Sequence, residues 1–349
     1  MEREASRPFG RAGTPGAPNG PAFGRALLRW YDKHRRDLPW RKTNDPYRVW
    51  LSEIMLQQTR VAAVLEHYRI FLERFPTIEA LAAAPLEAVL AAWSGLGYYR
   101  RARLLHQCAR EIVQWHAGEF PRTAAALQRL PGIGRYTAAA IASIAFGEPS
   151  AVVDGNVERV IERITGRELT QTEIWRQAQS LLNPARPGDF NQAMMELGAT
   201  VCLPREPKCE VCPIRKWCVT RAAGAQSSPG MTGTEGVSRA AKGELRQIKK
   251  EIWCTLDHRD GHIRLVQRPE GSSLMPGMWE LPRASERPSG VRNSAPWRTF
   301  RHSITVTDYT VHVVRQSSKG KGEWVALREL PKLPLTGLTR KILRAGGII

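Results

Sequence analysis

The chain has 349 residues, which is enough for two or three domains that each bury a core. Lysine and arginine outnumber aspartate and glutamate by 52 to 33, which gives a net charge of +19. An excess of this size indicates a polyanionic partner, with a merely well-charged surface as the alternative. The sequence has neither an apolar run of membrane-spanning length nor a signal-peptide core. We therefore expect an intracellular, cytoplasmic protein, associated with the nucleoid if bacterial.

Shifts in composition divide the chain into four segments. Residues 1–21 are rich in Gly, Pro and Arg and are predicted to be a disordered tail, and residues 222–245 lose apolar periodicity and are predicted to be a linker. Residues 22–221 carry helical patterns, and residues 246–349 carry alternating, strand-like patterns. The predicted fold is therefore a mainly α N-terminal half followed by a smaller α/β domain.

Apolar residues at helical spacing predict a series of short helices in the N-terminal half. Their predicted spans are Phe23 to Arg36, Tyr47 to Thr59, Val61 to Phe75, Ile78 to Ala84, Leu86 to Trp93, Arg100 to Trp115, Val157 to Ile164 and Asn191 to Val201. The segment Leu38-Pro39-Trp40-Arg41 is predicted to be extended, because a residue that precedes proline avoids the helical region.

One carboxylate stands inside a strongly apolar part of the second predicted helix. Glu53 lies within the run Val49 to Leu56, which predicts that its side chain is at least partly desolvated. Desolvation raises the pKa of a carboxyl group and can keep it protonated near neutral pH, as a general acid requires. The alternative is a glutamate on a solvated helix face.

Two glycine-containing turns are candidate nucleic-acid contacts. In Leu130-Pro131-Gly132-Ile133-Gly134 the backbone can turn sharply and begin a helix whose free amides hold a phosphate oxygen. A tight turn between core helices is the alternative. In Gly95 to Tyr99 two aromatic residues precede a basic helix start that contains Arg101, a pattern that fits a wedge into DNA and a grip on its phosphates. Aromatic side chains that fill the core fit this pattern equally well.

A further candidate carboxylate occurs in Val153-Asp154-Gly155-Asn156-Val157. Asp154 is well placed to cap the helix that follows, which is the default role of an aspartate at such a position. An ionised carboxylate there can also face a positive charge that develops on a sugar. The two roles are compatible.

Four of the six cysteines crowd into one short loop, at Cys202, Cys209, Cys212 and Cys218. In a reducing compartment this crowding indicates a metal centre rather than disulfides. The spacing C-x6-C-x2-C-x5-C has one close pair, which fits an iron–sulfur cluster better than a zinc ribbon with two close pairs; zinc is the alternative. Basic residues between the cysteines predict a contact with a nucleic-acid backbone.

Alternating apolar residues predict strands in the C-terminal segment. Strands at Ile252–Leu256 and Ile263–Val266 are predicted to form a hairpin through Asp260-Gly261. A further strand is predicted over Ile304 to Val314, and a short closing helix over Leu338 to Leu343.

Together these motifs resemble those of the MutY-type adenine DNA glycosylases, which are helix-hairpin-helix enzymes of the endonuclease III superfamily. The matching segments are LPWR at Leu38–Arg41, SEIMLQQT at Ser52–Thr59, GLGYYRRAR at Gly95–Arg103, LPGIGRYTA at Leu130–Ala138, VDGNV at Val153–Val157 and the four-cysteine loop. The resemblance implies a helix-hairpin-helix glycosylase fold with an Fe-S cluster loop, followed by a Nudix-like domain that recognises the lesion.

The resemblance also implies an activity. The implied enzyme is a monofunctional, monomeric glycosylase of base excision repair that removes adenine mispaired with 8-oxoguanine or guanine in double-stranded DNA. The implied reaction is acid-assisted hydrolysis of the N-glycosidic bond through an oxocarbenium-like state, without strand cleavage. One 4Fe-4S cluster, held by the four cysteines, is the implied cofactor, and no membrane partner is implied.

The family's functional positions fall on particular residues of this chain. Glu53 matches the general acid and base, and Asp154 matches the carboxylate that stabilises the sugar cation. Tyr136 stands where the endonuclease III branch has a lysine that forms a Schiff base, which a phenol cannot form. It matches instead a tyrosine or serine of the MutY branch, which implies a catalytic-site residue that supports the sugar site beside Asp154. The other implied positions are DNA contacts at Gln58, Thr59, Tyr98, Arg101, Gly132 and Gly134, an adenine pocket at Trp40, Arg41 and Glu196, and 8-oxoguanine recognition at Phe300, Arg301, His302 and Ser303.

The C-terminal segment departs from the family pattern in two respects. The glutamate-rich helix of Nudix hydrolases does not follow Trp279-Glu280-Leu281-Pro282, so this domain is expected to bind rather than hydrolyse. The usual lesion-reading loop is Phe-Ser-His, whereas this chain has an arginine in place of the serine. Arg301 or Ser303 is therefore a candidate to supply the missing hydrogen-bond donor.

Two other functions fit parts of the sequence. An endonuclease III-type glycosylase and lyase that acts on oxidised pyrimidines shares the helical motifs, but Tyr136 and the second domain argue against it. A non-catalytic DNA-binding protein of the same fold is the other alternative. The presence of both Glu53 and Asp154 in their motifs argues against that function.

Overall fold

A computed structural model describes residues 21–222, 248–284, 295–304, 306–317 and 322–349. The predicted tail and the predicted linker therefore lie outside the described residues, apart from Pro21 and Ala222 at their boundaries. Within the described ranges, no helix is both long enough and apolar enough to cross a membrane.

The N-terminal part is helical, which confirms the predicted fold class. Its helices are α1 Pro21–His34, α2 Pro46–Leu56, α3 Val61–Arg74, α4 Ile78–Ala83, α5 Leu86–Trp93, α6 Arg100–His116, α7 Ala124–Leu127, α8 Arg135–Phe146, α9 Gly155–Thr165, α10 Gln171–Leu181, α11 Pro187–Thr200 and α12 Val219–Ala222. The segment before α2 is extended only at Leu38, and Pro39–Arg41 forms a 3-10 turn. Proline restrains the residue before it to the extended region, but its own φ suits the start of a helix.

The described residues form two compact units. One holds residues 21–53 and 120–222, and the other holds residues 54–119 and those from 248 onward. The core of the first unit includes Phe23 and Tyr31 of α1 and Phe190 of α11. The domain boundaries proposed from composition stay a prediction. Contacts between residues divide the structure differently, because they group α3 to α6 with the C-terminal strands.

The described residues of the C-terminal part form two sheets and a closing helix. Its elements are β1 Ile248–Leu256, β2 His258–Arg259, β3 His262–Gln267, β4 Trp279–Glu280, β5 Arg283–Ala284, β6 Arg298–Ile304, β7 Thr307–Arg315, β8 Glu323–Ala326 and α13 Gly337–Ala345. The first sheet has the order β5-β1-β7-β6, with β1 and β7 parallel, and in the second sheet β3 pairs with β2, β4 and β8. Leu338 and Ile342 of α13 pack with Val311 and Leu265 in the core of this part.

Two predictions for the C-terminal part are wrong: the pairing of the hairpin strands and the loop at Phe300 to Ser303. Asp260-Gly261 does form a tight turn, with φ values of 50° and 70°, but this turn joins only the two-residue β2 to β3. Strand β1 instead pairs in parallel with β7, where Trp253 is aligned with His312. A parallel pairing between distant strands leaves no local sequence signal. Residues Phe300 to Ser303, predicted as a loop, lie in the edge strand β6, which pairs with β7.

Candidate active site

Glu53 lies on α2 and its residue surface is only 7% exposed, which confirms the predicted desolvation. Burial raises the pKa of its carboxyl group, a hydrogen bond from Tyr136 lowers it, the charge of Asp154 raises it and that of Arg41 lowers it. The outcome is a pKa of about 7. Near neutral pH a large fraction of Glu53 is therefore protonated and able to donate a proton.

Tyr136 is the second residue of α8 and contacts Glu53 directly. Its hydroxyl group donates a hydrogen bond to Oε2 of Glu53 at 2.8 Å and lies 3.3 Å from the Sδ atom of Met195. Burial, followed by the charges of Glu53 and Asp154, raises the pKa of the phenol well above its usual value. Tyr136 therefore stays protonated and acts as a hydrogen-bond donor. The sequence motifs did not predict this contact.

The hairpin that precedes α8 has the geometry of an open turn. Gly132 has a φ of 74°, in the left-handed region that favours glycine. Gly134 is the N-cap of α8, and a Cβ atom added there would meet nothing within 4 Å. Both glycines are exposed. The first amide groups of α8 therefore border open space, as a phosphate contact would require.

Asp154 is the N-cap of α9, which confirms its predicted structural role. Its Oδ1 atom accepts hydrogen bonds from the backbone amides of Asn156 at 3.0 Å and Val157 at 2.8 Å, and its Oδ2 atom accepts one from Nδ2 of Asn156 at 3.0 Å. These donors hold the carboxylate in one orientation. Because its charge acts on both Glu53 and Tyr136, the structure brings the three predicted catalytic residues together.

The predicted adenine-pocket residues include a buried ion-pair cluster. Glu196 of α11 is fully buried and accepts hydrogen bonds from Arg36 Nε at 2.8 Å, Arg36 Nη2 at 2.6 Å and Arg41 Nη2 at 2.8 Å. Burial raises the pKa of Glu196, but the hydrogen bonds from the two arginines lower it to about 2. Glu196 thus holds the guanidinium group of Arg41 in place. Trp40, the residue before Arg41, is buried. Sequence reasoning missed Arg36, which stands in an ordinary run of charged residues.

The four cysteines lie between α11 and α12. Burial raises the pKa of Cys212 to about 12, and the other three cysteines contribute to this shift, so the four sulfur atoms are close enough to interact. Nη1 of the buried Arg163 donates to Sγ of Cys202 at 3.2 Å. Among the residues that the structure describes, no group of three or more His, Cys, Asp or Glu side chains is arranged so that it could hold a metal ion. Four thiols gathered beside a buried cation are a donor set that fits a cluster of several irons.

Two predicted DNA contacts stand on exposed turns. Gln58 follows α2 with a φ of 54°, and Tyr98 precedes α6 with a φ of 48° and is 58% exposed. Its neighbour Tyr99 is buried, so one aromatic residue of this turn faces solvent and the other fills the core. Thr59 is half-buried, and Arg101 directs its guanidinium group to acceptors within the protein.

The four predicted lesion-reading residues alternate along β6. Phe300 is buried in the core, and His302 is half-buried. Burial, followed by the charges of Lys341 and Arg283, lowers the pKa of His302. The Ser303 hydroxyl group already donates a hydrogen bond to Asp308 at 2.5 Å. Arg301 and Ser303 are both exposed, and because the Ser303 hydroxyl group already donates to Asp308, Arg301 is the exposed donor that remains.

Comparison with known proteins identifies the relatives of this chain. The profile of the HhH-GPD superfamily base excision DNA repair proteins matches residues 51–184. The human protein named adenine DNA glycosylase is 42% identical over 319 residues, which cover 77% of this chain. The rat protein of the same name is 43% identical over 318 residues. The chain spans 58% of the length of the human relative and 61% of the rat relative.

Two solved structures of DNA glycosylases and endonucleases are also similar to this chain. A thermostable thymine-DNA glycosylase is 34% identical, with a TM-score of 0.55, and the match covers 58% of this chain and 95% of that chain. Endonuclease III in a non-covalent complex with DNA is 24% identical, with a TM-score of 0.50 and coverage of 58% of this chain and 94% of that chain, which indicates a shared fold. The chain therefore carries, at residues 51–184, a domain of the HhH-GPD superfamily of base excision DNA repair proteins, and its curated relatives are adenine DNA glycosylases.

Proposed function

We propose that this protein removes adenine mispaired with 8-oxoguanine or guanine from double-stranded DNA, as a monomer. The observation that carries the proposal is the buried Glu53 carboxyl group, with the Tyr136 hydroxyl group at 2.8 Å and Asp154 beside it. The identity with proteins named adenine DNA glycosylase supports adenine as the base. Residues 1–222 are too few to supply the 77% of this chain that matches the human relative, so that match extends into the C-terminal part.

Glu53 is the proton donor of the proposed reaction. Adenine leaves poorly as an anion, so cleavage of its N-glycosidic bond needs a proton on a ring nitrogen. With a pKa of about 7, Glu53 supplies that proton near neutral pH and becomes a carboxylate. The Tyr136 hydroxyl group donates to this carboxylate and so stabilises the charge that remains on Glu53.

Asp154 acts on the sugar in the proposed reaction. Its oriented carboxylate faces the positive charge that develops as adenine leaves, and a water molecule then completes the hydrolysis. The same negative charge raises the pKa of Glu53 and so favours the protonated form of that carboxyl group. Strand cleavage through a Schiff base needs an amine, which the phenol of Tyr136 lacks. The expected product is an abasic site in an intact strand.

The four cysteines are proposed to hold one 4Fe-4S cluster. When bound, the cluster would cross-link the loop through four iron–thiolate bonds and fix it as a structural element. Arg163 would balance the negative charge of the thiolates, because its guanidinium group already lies against Cys202. Substitution of Cys212 by serine is expected to abolish the broad visible absorption of an iron–sulfur cluster, whereas the same change at the buried, isolated Cys108 leaves it intact.

DNA binding and lesion recognition are assigned to separate features. The amides at the start of α8, beside Gly132 and Gly134, are proposed to hold a backbone phosphate. Gln58 and Tyr98 are proposed to enter the duplex at the mispair. Arg301, exposed on β6, is proposed to supply the hydrogen-bond donor to 8-oxoguanine, since the Ser303 hydroxyl group already donates to Asp308.

Thymine is the second candidate base, because the solved thymine-DNA glycosylase is 34% identical and is matched over 95% of its length. Incubation with a panel of duplexes, followed by chromatography of the released bases, separates the candidates. The proposal predicts adenine from duplexes with adenine opposite 8-oxoguanine or guanine, and none from an adenine:thymine pair. Release of thymine from a thymine:guanine pair without release of adenine would contradict the proposal.

A further inference from the structure

Two exposed turns of the second compact unit share one half-buried partner. The turn at Gln58 and the turn at Tyr98 each contain a non-glycine residue in the left-handed region of backbone conformation. Such residues persist only where the surrounding structure holds them. Arg101, on the first turn of α6, donates hydrogen bonds to the backbone of both turns.

The two terminal nitrogens of Arg101 divide their acceptors between the turns. Nη1 donates to the carbonyl oxygens of Ile54 at 2.7 Å, Met55 at 3.0 Å and Gln57 at 2.6 Å. Nη2 donates to Oγ1 of Thr59 at 3.1 Å and to the carbonyl oxygens of Leu96 at 3.2 Å and Gly97 at 3.3 Å. Four hydrogen atoms serve six acceptors, so some of these bonds are shared. The guanidinium group thus links the backbone of the turn at Gln58 to the backbone of the turn at Tyr98.

The chemistry of arginine suits this position. Ile54 and Met55 lie in the last turn of α2, where carbonyl groups lack partners within the helix and favour a cation. The guanidinium group also lies 5.5 Å from the ring centre of Tyr98 and 5.4 Å from that of Trp93. Burial lowers the pKa of Arg101 to about 10, which keeps the group charged at neutral pH. Lysine carries its three donors on one nitrogen and does not reproduce the planar fork.

We propose that Arg101 is a positioning residue that holds Gln58 and Tyr98 in one prearranged geometry for entry into the duplex, rather than a direct contact to phosphate. The role in lesion binding rests on the proposed function. The prearrangement itself is a property of the protein without DNA, and it is tested separately.

Hydrogen exchange of the full chain without DNA, followed by mass spectrometry, tests the prearrangement. Arg101→Lys is expected to increase amide exchange about tenfold in peptides that cover residues 57–59 and 95–99, with no change over α8. Arg100→Lys is the matched control, because Arg100 is exposed and adjacent, and it is expected to change neither peptide. Thr59→Val removes one acceptor of Arg101 and the hydrogen bond from the Thr59 hydroxyl group to the carbonyl oxygen of Gln57; it is a milder variant that should increase exchange about twofold to threefold at residues 57–59. Unchanged exchange at both turns in Arg101→Lys, or in Thr59→Val should the lysine variant not fold, would overturn the inference.

A double-mutant cycle tests the role in lesion binding, with Glu53→Gln as the background so that the substrate is not consumed. Arg101→Lys is expected to weaken binding to an adenine:8-oxoguanine duplex about tenfold more than binding to undamaged duplex, and to have less than about a twofold effect once Tyr98→Ala is present. A phosphate contact predicts instead that lysine preserves the affinity, or that both duplexes lose it equally, and either result would overturn the inference. Should the wild-type protein release no adenine while Arg101→Lys still increases exchange at both turns, the proposed function fails and the prearrangement stands.

Discussion

The hydroxyl group of Tyr136 donates a hydrogen bond to the carboxyl group of Glu53 at 2.8 Å, from the first turn of a helix that begins at the glycine hairpin. The same short segment therefore offers backbone amides to a phosphate and a phenol to the buried acid. In the proposed reaction the start of α8 therefore has two tasks: its amides hold the DNA backbone, and Tyr136 lowers the pKa of Glu53 through its hydrogen bond.

Glu53→Gln should remove base release while binding to the mispaired duplex persists. Glutamine keeps the size and polarity of the side chain but has no acidic proton, and loss of a general acid lowers rates by about 10² to 10⁴-fold. Single-turnover rates and affinities of the variant, measured on the same duplex, check this expectation. Glu168→Gln, at an exposed glutamate, is the control that should leave both quantities unchanged. Excision by Glu53→Gln at the wild-type rate would refute the assignment of the acid.

Tyr136→Phe should shift the pH dependence of excision to higher pH. The hydrogen bond from Tyr136 lowers the pKa of Glu53, so its removal raises that pKa above about 7. The protonated form of Glu53 is the active one, and the rate of the wild-type protein should therefore fall as the pH rises through about 7. Single-turnover rates across the neutral range locate the descending limb in both proteins. A limb that moves to lower pH in the variant would contradict this electrostatic account.

Tyr136→Lys should introduce covalent chemistry that the wild-type protein lacks. The new amine would lie where the phenol now reaches Glu53, beside the proposed sugar site, and would form an imine with the abasic sugar. Borohydride reduction should then yield a protein–DNA complex that survives denaturing electrophoresis, with wild-type protein as the untrapped control. If the folded variant gives no trapped complex, the inferred position of the sugar is wrong.

Glu196→Gln should destabilise the protein far more than removal of an exposed ion pair. Loss of one partner from a buried ion pair costs about 3–5 kcal/mol, because the largely buried side chain of Arg41 loses its compensating charge. Asp32→Asn removes the partly exposed pair with Arg186 and should cost about 0.2–1 kcal/mol. Denaturant unfolding at neutral pH measures both changes, and equal losses would contradict the assigned difference.

The same ion pair has a defined pH dependence. The folded-state pKa of Glu196, about 2, lies below the ordinary value of 4.5. Its contribution to the free energy of unfolding is therefore fully present above about pH 4.5 and is lost as the pH falls towards 2. In Glu196→Gln this part of the acid sensitivity should be absent. Wild-type and variant proteins that lose stability equally over this range would contradict the lowered pKa.

Site features that depend on neighbouring residues could be predicted from the sequence. The apolar run around Glu53 indicated its burial, and the position of Asp154 before a helix indicated its cap. Both follow from local patterns, because helical periodicity and capping act over a few residues.

Features that join distant segments could not be predicted in this way. The contact between Tyr136 and Glu53 joins positions 83 apart, and the pairing of Arg36 with Glu196 joins positions 160 apart. The parallel pairing of β1 with β7 is likewise set by packing against the shared core, while alternation along each strand gives no partner. The basic run around Arg101 predicted a contact to DNA phosphate. Its six hydrogen-bond acceptors within the protein are visible only in the tertiary structure.

The central claim is that Glu53, Tyr136 and Asp154 remove adenine without cutting the strand. It is tested most directly by single-turnover incubation of the purified protein with a duplex that carries one adenine opposite 8-oxoguanine, resolved with and without alkali. The account predicts a cut strand only after alkali, because alkali breaks DNA at an abasic site that the enzyme leaves intact. Strand cleavage without alkali, or no product in either lane, would contradict it.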